Sequence, residues 1–287
     1  MAVTRRAAVV GKPIAHSLSP VIHNAGYAAA GLAGWSYTRI ECAAAELADL
    51  VAGLGPEWAG LSVTMPGKEA ALAVAAEVSP VAAAVGAANT LVRRPDGSWY
   101  ADNTDVTGMV EVLTEAGVRA LPDRRPDSAS RAPGFPNGLS VTVLGAGGTA
   151  RAALAAVARL HAADVTVVAR RPAAVAELAP VADSLGVAMS AAPWSAAPDL
   201  AGADLLISTV PKGAADELAD AVRWRPGTVL FDAIYDPWPT PLAASAAAAG
   251  CRIVSGLDLL LAQAIGQFEQ FTGVPAPRPA MAAALTA

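Results

Sequence analysis

The sequence predicts two successive α/β blocks, the second of them doubly wound. Three observations lead there. Short apolar, strand-like runs alternate with helix-like stretches up to about Asp105, the order that builds an α/β sheet. A β-branched run, Ser140–Leu144 (SVTVL), passes directly into a glycine turn and an alanine-rich helix. Between the two blocks lies 118–138, with four prolines, four arginines and few apolar residues. Such a composition favours a flexible insertion over a packed element.

The elements follow in order. Ala7–Val10 (AAVV) reads as a strand ended by Gly11. Ser19-Pro20 matches a helix start, with serine as the N-cap and proline in the first turn, and Gly31 is the stop. Trp35–Ile40 alternates like a strand. Ala44–Leu54 reads as a helix closed by Gly55-Pro56, and Gly60–Val63 as a short buried strand. Another helix is expected from about Glu69. Thr90–Val92 and Trp99–Ala101 flank the turn Pro95-Asp96-Gly97, which gives them hairpin character. The first sheet is expected to be mostly parallel, and a helix leads out over Asp105–Ala116. In the second block, the strand Ser140–Leu144 precedes a helix over Arg151–Leu160 and a strand over Asp164–Ala169. A helix over Ala173–Leu185 and strands over Leu205–Val210 and Val229–Asp232 follow. That βαβαβ order is the one of a nucleotide-binding, Rossmann-like domain. The helical stretch Asp258–Phe271 is expected to pack back on the first block. The expected domains are therefore 1–104 with 257–287, and 105–256.

Composition narrows the function. At 287 residues the chain has room for about two domains. With 54% hydrophobic and 16% charged residues it cannot be a disordered chain. A net charge of −5 leaves no basic surplus to neutralise a phosphate backbone, so no nucleic-acid partner is expected. Mean hydropathy is +0.42, yet Arg, Asp, Glu, Gly or Pro interrupts every apolar run before about 18 residues, so no membrane partner is expected either. The apolar run near the N-terminus is too short for a signal peptide. Cys42 and Cys251 stand in no metal or redox spacing, which fits a cytoplasmic protein with no metal site. Whether it is a monomer or a homodimer is left open.

Certain residues carry chemistry. Gly145-Ala146-Gly147-Gly148-Thr149-Ala150 sits between a strand and a helix, where glycines let the backbone approach a pyrophosphate and the helix N-terminus offers free N–H groups. A tight turn without a ligand would look the same. At the end of the next strand, where an NAD-binding domain normally has Asp or Glu, the chain has Arg170-Arg171. Guanidinium groups attract a 2′-phosphate, so NADP is favoured over NAD, although a solvated helix start is the plainer reading. Lysine is scarce, three against seventeen arginines, and Lys68 stands at the C-terminal edge of a strand, where α/β sheets bind ligands. Asp105 reads either as a helix cap or as a working carboxylate, and the two roles are compatible.

Together these segments resemble the shikimate dehydrogenase family. Gly11-Lys-Pro-Ile-Ala-His-Ser-Leu-Ser-Pro20 with His23-Asn24 is similar to its N-terminal signature, and Ser62-Val-Thr-Met-Pro-Gly-Lys68 to its lysine segment. Gly86-Ala-Ala-Asn-Thr90, Asp102-Asn-Thr-Asp105 with Gly108, Asp232-Ala-Ile-Tyr-Asp-Pro237 with Thr240-Pro-Leu242, Gly256 and Gln263 follow in the family's order. The resemblance spans nearly the whole chain. It implies reduction of 3-dehydroshikimate to shikimate with NADPH, in the pathway to the aromatic amino acids. It also implies roles. Lys68 and Asp105 would form the catalytic pair. Ser17 and Ser19 would bind the substrate carboxylate, with Thr64, Asn89, Tyr235 and Gln263 on the carboxylate or ring hydroxyls. Gly145, Ala146, Gly147, Gly148 and Thr149 would cradle the pyrophosphate, Arg170 and Arg171 would grip the 2′-phosphate, and Gly256 would lie near the nicotinamide. Three features depart from the family: Ser62 in place of the usual asparagine, Leu259 where methionine is frequent, and the long 118–138 insertion. A relative acting on quinate or an aminoshikimate is the alternative. A binding protein that kept only the fold would be expected to lack Lys68 or Asp105.

Overall fold

A computed structural model describes residues 4–118, 139–162 and 164–286. The chain forms two compact units, Met1–Gly108 with Leu260–Ala287, and Met109–Leu259.

The first unit runs β1 (Arg5–Gly11), α1 (Ser19–Ala29), β2 (Trp35–Glu41), α2 (Leu47–Ala52), β3 (Trp58–Val63), α3 (Ala70–Ala73), β4 (Glu77–Val78), α4 (Pro80–Val85), β5 (Thr90–Arg93) and β6 (Trp99–Asp102). The helix α5 (Thr104–Glu115) starts in this unit. Its sheet has the order β2-β1-β3-β5-β6-β4. Both faces are covered, which is why β1 reads as an unbroken apolar run rather than an alternating one. Successive residues of that run serve opposite faces. Ala8 and Val10 join Leu47, Leu61 and Leu91, whereas Ala7 and Val9 join Ile22, Tyr27 and Tyr37.

The second unit contains β7 (Ser140–Leu144), α6 (Gly148–Arg159), β8 (Asp164–Ala169), α7 (Pro172–Ala176), α8 (Ala179–Leu185), β9 (Met189–Pro193) and α9 (Ala197–Leu200). It continues with β10 (Leu205–Ser208), β11 (Val229–Asp232), α10 (Pro241–Ala248) and β12 (Arg252–Ser255). Every strand pair in this sheet is parallel, in the order β12-β11-β10-β7-β8-β9. Counted within the unit, this is the 3-2-1-4-5-6 order of a dinucleotide-binding fold, whose direction reverses between β7 and β10. The chain then enters α11 (Gly256–Thr272) and α12 (Arg278–Ala283). Phe268, Phe271 and Met281 of these helices complete the core around Ile22 and Tyr27, so the C-terminal helices do return to the first unit. Gly60 makes room for them, since a Cβ there would stand 2.2 Å from the Phe271 ring.

Several local expectations are corrected. The first sheet is mostly parallel as expected, through β1–β2, β1–β3 and β4–β6, and holds the expected antiparallel hairpin β5–β6, but the pair β3–β5 is antiparallel as well. Leu18, not Ser19, is the N-cap of α1; Ser19 is its first residue, and the Ser17 Oγ accepts from the Ser19 N–H at 3.3 Å. The helix expected over Ala44–Leu54 is a 3-10 turn, Ala44–Glu46, followed by α2. After Glu69 only one turn of helix forms, and the hairpin side of the sheet gains β4 and α4. The helix expected over 173–185 is two, because Pro180 lacks the N–H that would continue the first. α6 begins at Gly148, before the predicted Arg151. Past Val118, the proline- and arginine-rich insertion lies outside the described residues.

Candidate active site

The first unit gathers polar side chains at one end of its sheet. Beyond β3 the chain turns through Thr64–Gly67, where the Gly67 N–H donates to the Thr64 carbonyl at 2.9 Å. Gly11 lets this turn close on β1, as a Cβ there would stand 2.4 Å from Thr64 Cγ2. The turn delivers Lys68, whose carbonyl accepts from the Ala88 N–H at 2.8 Å and so ties it to the segment entering β5. Asp105 lies in the first turn of α5, where a helix favours a carboxylate. Lys68 Nζ donates to Asp105 Oδ2 at 2.6 Å, with the two side chains only 16% and 9% exposed. A pair so shielded is held together by the cost of leaving either charge alone.

Asn89 braces the pair. Its Nδ2 donates to Asp105 Oδ1 at 2.9 Å and to Thr104 Oγ1 at 3.0 Å, while its Oδ1 accepts from the Thr104 N–H at 2.8 Å. A backbone N–H can only donate, so the amide's orientation is fixed. Gln263, on α11, brings Oε1 to 3.4 Å from Asn89 Nδ2. Glycine at 108 permits this approach, since a Cβ would stand 3.0 Å from the Gln263 nitrogen. At the start of α1, Ser19 is buried and Ser17 half-buried, and the Ser17 carbonyl accepts from Arg39 Nε at 2.9 Å.

Sequence reasoning missed a second layer. Tyr37, Ser62 and Gln267 are linked behind Asn89, Tyr37 OH donating to Ser62 Oγ and Ser62 Oγ to Gln267 Oε1, each at 2.5 Å. Burial drives the Tyr37 phenol above the usual tyrosine range, the Ser62 and Ser19 hydroxyls pulling slightly the other way. His23 stacks on Tyr37 at 4.1 Å, and burial pushes its pKa down to about 3. One signal pointed at Gln267: it follows Gln263 by four residues and so shares its helix face.

The second unit holds the remaining candidates. Gly145, with φ +101°, starts the turn after β7, and a Cβ there would stand 2.6 Å from Thr209 Oγ1. Gly147 caps α6 and has open space where a Cβ would be. Ala146, Gly148 and Thr149 are half-buried beside it, and the first turn of α6 holds no acidic residue. Arg170 and Arg171 are exposed at the end of β8. Tyr235 is half-buried in the loop after β11, within this unit. That loop starts from buried Asp232, whose carboxylate accepts from Thr240 Oγ1 at 2.7 Å and from the Ile234 N–H at 3.2 Å. Gly256 is buried against it, a Cβ there standing 2.2 Å from the Ala233 carbonyl.

These features meet known proteins along most of the chain. Residues 9–91 match the profile of the shikimate dehydrogenase substrate binding domain, and residues 256–286 that of the shikimate 5'-dehydrogenase C-terminal domain. The shikimate dehydrogenase (NADP(+)) of Caulobacter vibrioides is 41% identical over 277 residues, covering 94% of this chain and 90% of its own. The chain belongs to the shikimate dehydrogenase family. Among solved members, the shikimate dehydrogenase of Mycobacterium tuberculosis shares 47% identity and a TM-score of 0.85, covering 98% of this chain and 99% of that one. The shikimate 5-dehydrogenase of Thermus thermophilus, solved in complex with NADP(H) and shikimate, shares 28% identity and a TM-score of 0.78 over 98% of each chain. Lys68, Asn89 and the Ser17–Ser19 stretch fall within the first matched segment of this shikimate dehydrogenase family member, and Gln263 within the second.

Proposed function

We propose that the protein catalyses the reversible, NADP-dependent reduction of 3-dehydroshikimate to shikimate. The observation that carries this reading is the shielded Lys68–Asp105 pair, 2.6 Å apart and braced by Asn89. The first unit would be the substrate domain and the second the cofactor domain. Serving a small acidic polyol requires many fixed polar groups. Ser17 and Ser19 would take the carboxylate, and Thr64, Asn89, Gln263 and Tyr235 the carboxylate or ring hydroxyls.

The residues of the second unit suit a dinucleotide phosphate. The α6 N-terminus carries no side-chain cap, the space beside Gly147 is open, and the turn lies at the reversal of strand order. Gly145 to Thr149 would hold the pyrophosphate, Gly256 would lie near the nicotinamide, and Arg170 and Arg171 would hold the 2′-phosphate that distinguishes NADP. When bound, the reduced cofactor supplies a hydride for the ketone carbon. Negative charge then grows on the carbonyl oxygen. The Lys68 ammonium polarises that oxygen and donates the proton that completes the new hydroxyl. Asp105 holds the ammonium in place, and Asn89 holds Asp105. The two free cysteines, Cys42 and Cys251, agree with a reducing, cytoplasmic setting.

The test follows reduced-nicotinamide absorbance with shikimate or quinate, each with NADP⁺ or NAD⁺. The reading expects turnover of shikimate with NADP⁺ far above the other three combinations. Preferred turnover of quinate, or equal use of NAD⁺, would replace the substrate or cofactor assignment.

A further inference from the structure

Behind the proposed catalytic pair runs an unbroken chain of buried side-chain hydrogen bonds. Tyr37 donates to Ser62, and Ser62 to Gln267 Oε1. The Gln267 Nε2 donates to the Asn89 carbonyl at 3.0 Å and to Thr90 Oγ1 at 3.1 Å. Thr90 Oγ1 donates to Asn89 Oδ1 at 2.8 Å, and Asn89 Nδ2 to Asp105 Oδ1 at 2.9 Å. Two backbone groups fix its direction. The Asn89 carbonyl can only accept, so Gln267 must turn its amide nitrogen toward it. The Thr104 N–H can only donate, so Asn89 must turn its oxygen toward it. Every donor in the chain therefore points toward Asp105, and hydrogen bonds aligned in this way polarise one another. Asp105 Oδ1 is occupied from behind, which leaves Oδ2 for Lys68.

We infer that Gln267 is a positioning residue for the reaction, setting the Asn89 amide and through it the Asp105–Lys68 geometry. The inference rests on the dehydrogenase reading above. Gln267 is 1% exposed and reaches the pair only through Thr90 and Asn89, so it touches neither substrate nor cofactor. Ser62 is the link between Tyr37 and Gln267.

The experiment compares Gln267→Leu, Ser62→Ala and Tyr37→Phe with the wild-type enzyme, using shikimate and NADP⁺. A shift of the proton donor by about 1 Å can cost up to about a hundredfold in rate. Here Asn89 keeps its own bonds to Thr104, and the expected fall in kcat for Gln267→Leu is about tenfold. Ser62→Ala and Tyr37→Phe should show smaller falls, in that order, with KM for NADP⁺ unchanged. The solvent deuterium isotope effect on kcat should rise for Gln267→Leu, because proton transfer becomes more limiting. That ratio does not depend on the fraction of folded enzyme, so a merely structural role would leave it unmoved. An unchanged isotope effect with a lowered melting temperature would overturn the inference. If Gln267→Leu fails to fold, the isotope effects of the two hydroxyl deletions decide in the same way. Inactive wild-type enzyme would overturn the dehydrogenase reading itself; active wild type with unaltered variants would overturn only this inference.

Discussion

Asn89 and Gly147 each stand where a strand of their unit meets a turn, yet they are held in opposite ways. Asn89 is 2% exposed, and its amide is saturated by Thr90, Thr104 and Asp105. Gly147 is exposed, has no side chain and faces open space. The contrast extends to the neighbours of each. The first unit fixes its working groups with buried bonds between side chains drawn from β2, β3, β5, α5 and α11. The second presents backbone N–H groups and two exposed arginines around a glycine turn. A buried network loses much when one member is removed, because its partners are left unsatisfied. An exposed phosphate grip loses only the contact itself.

The largest effect should come from Lys68→Ala. It removes the proposed proton donor and strands the Asp105 carboxylate in a shielded site. A general acid contributes about a hundred- to ten-thousandfold, and we expect kcat to fall by about a thousandfold, with KM for shikimate changing far less. Steady-state kinetics measures this. A comparable loss in KM alone would make Lys68 a binding residue and weaken the contrast between the units.

The next effect separates the units by pH. Burial holds the His23 pKa at about 3, against 6.5 in an unfolded chain. As pH falls below 6.5 the unfolded chain takes up a proton that the folded one refuses. Stability is therefore lost from 6.5 down to about 3, by up to about 1.4 kcal/mol for each pH unit. In the second unit burial raises the pKa of Asp232, the opposite sign: its folded form holds a proton more tightly, so its contribution is greatest at low pH and fades as pH rises. Acid should loosen α1 and β2 before β10 and β11. Amide exchange, corrected for its intrinsic pH dependence, checks the order, and His23→Phe should flatten the acid side of the melting-temperature profile. Simultaneous opening of both units, with no change in His23→Phe, would contradict it.

Legibility in the sequence follows the same division. The glycine turn, the arginines after β8 and the lysine and aspartate segments are local patterns, and each could be read from a few neighbouring residues. The chain Tyr37–Ser62–Gln267 could not, because Ser62 and Gln267 are 205 residues apart and meet only once α11 has folded back over β3. Among the elements, three of the four edge strands, β4, β9 and β12, escaped, while β2 with its alternating pattern did not. β4 has two residues, and β9 (MSAAP) carries alanine, serine and proline instead of a β-branched pattern, so its place depends on pairing with β8. The Ser19 cap was misplaced by one position because Pro20 is tolerated in the first turn whether Leu18 or Ser19 precedes the helix.

Third in size is the loss of the arginines. Arg170→Ala and Arg171→Ala would each remove a proposed charge-assisted grip on a 2′-phosphate, worth about 1.5–3 kcal/mol in a favourable site and less where exposed. We expect KM for NADP⁺ to rise by about tenfold for each, with KM for NAD⁺ and the melting temperature little altered. Titration with both cofactors separates this from a general loss of binding. Equal weakening for NAD⁺ would mean that the arginines act on the whole dinucleotide.

The smallest change tests the contrast at its sharpest. Gly147→Ala adds one methyl group where φ is −93° and nothing lies within 4 Å, so alanine fits the free protein without strain. As an N-cap, alanine is poorer than glycine, and the expected loss of stability is below about 1 kcal/mol. The same methyl would intrude on the space that a pyrophosphate needs in order to reach the N–H groups of α6. KM for NADP⁺ and for NAD⁺ should therefore rise together, by about fivefold, while shikimate KM and kcat hold. Parallel behaviour toward the two cofactors distinguishes this position from Arg170 and Arg171. If cofactor affinity instead survives the added methyl, the open space beside Gly147 is not the phosphate's approach.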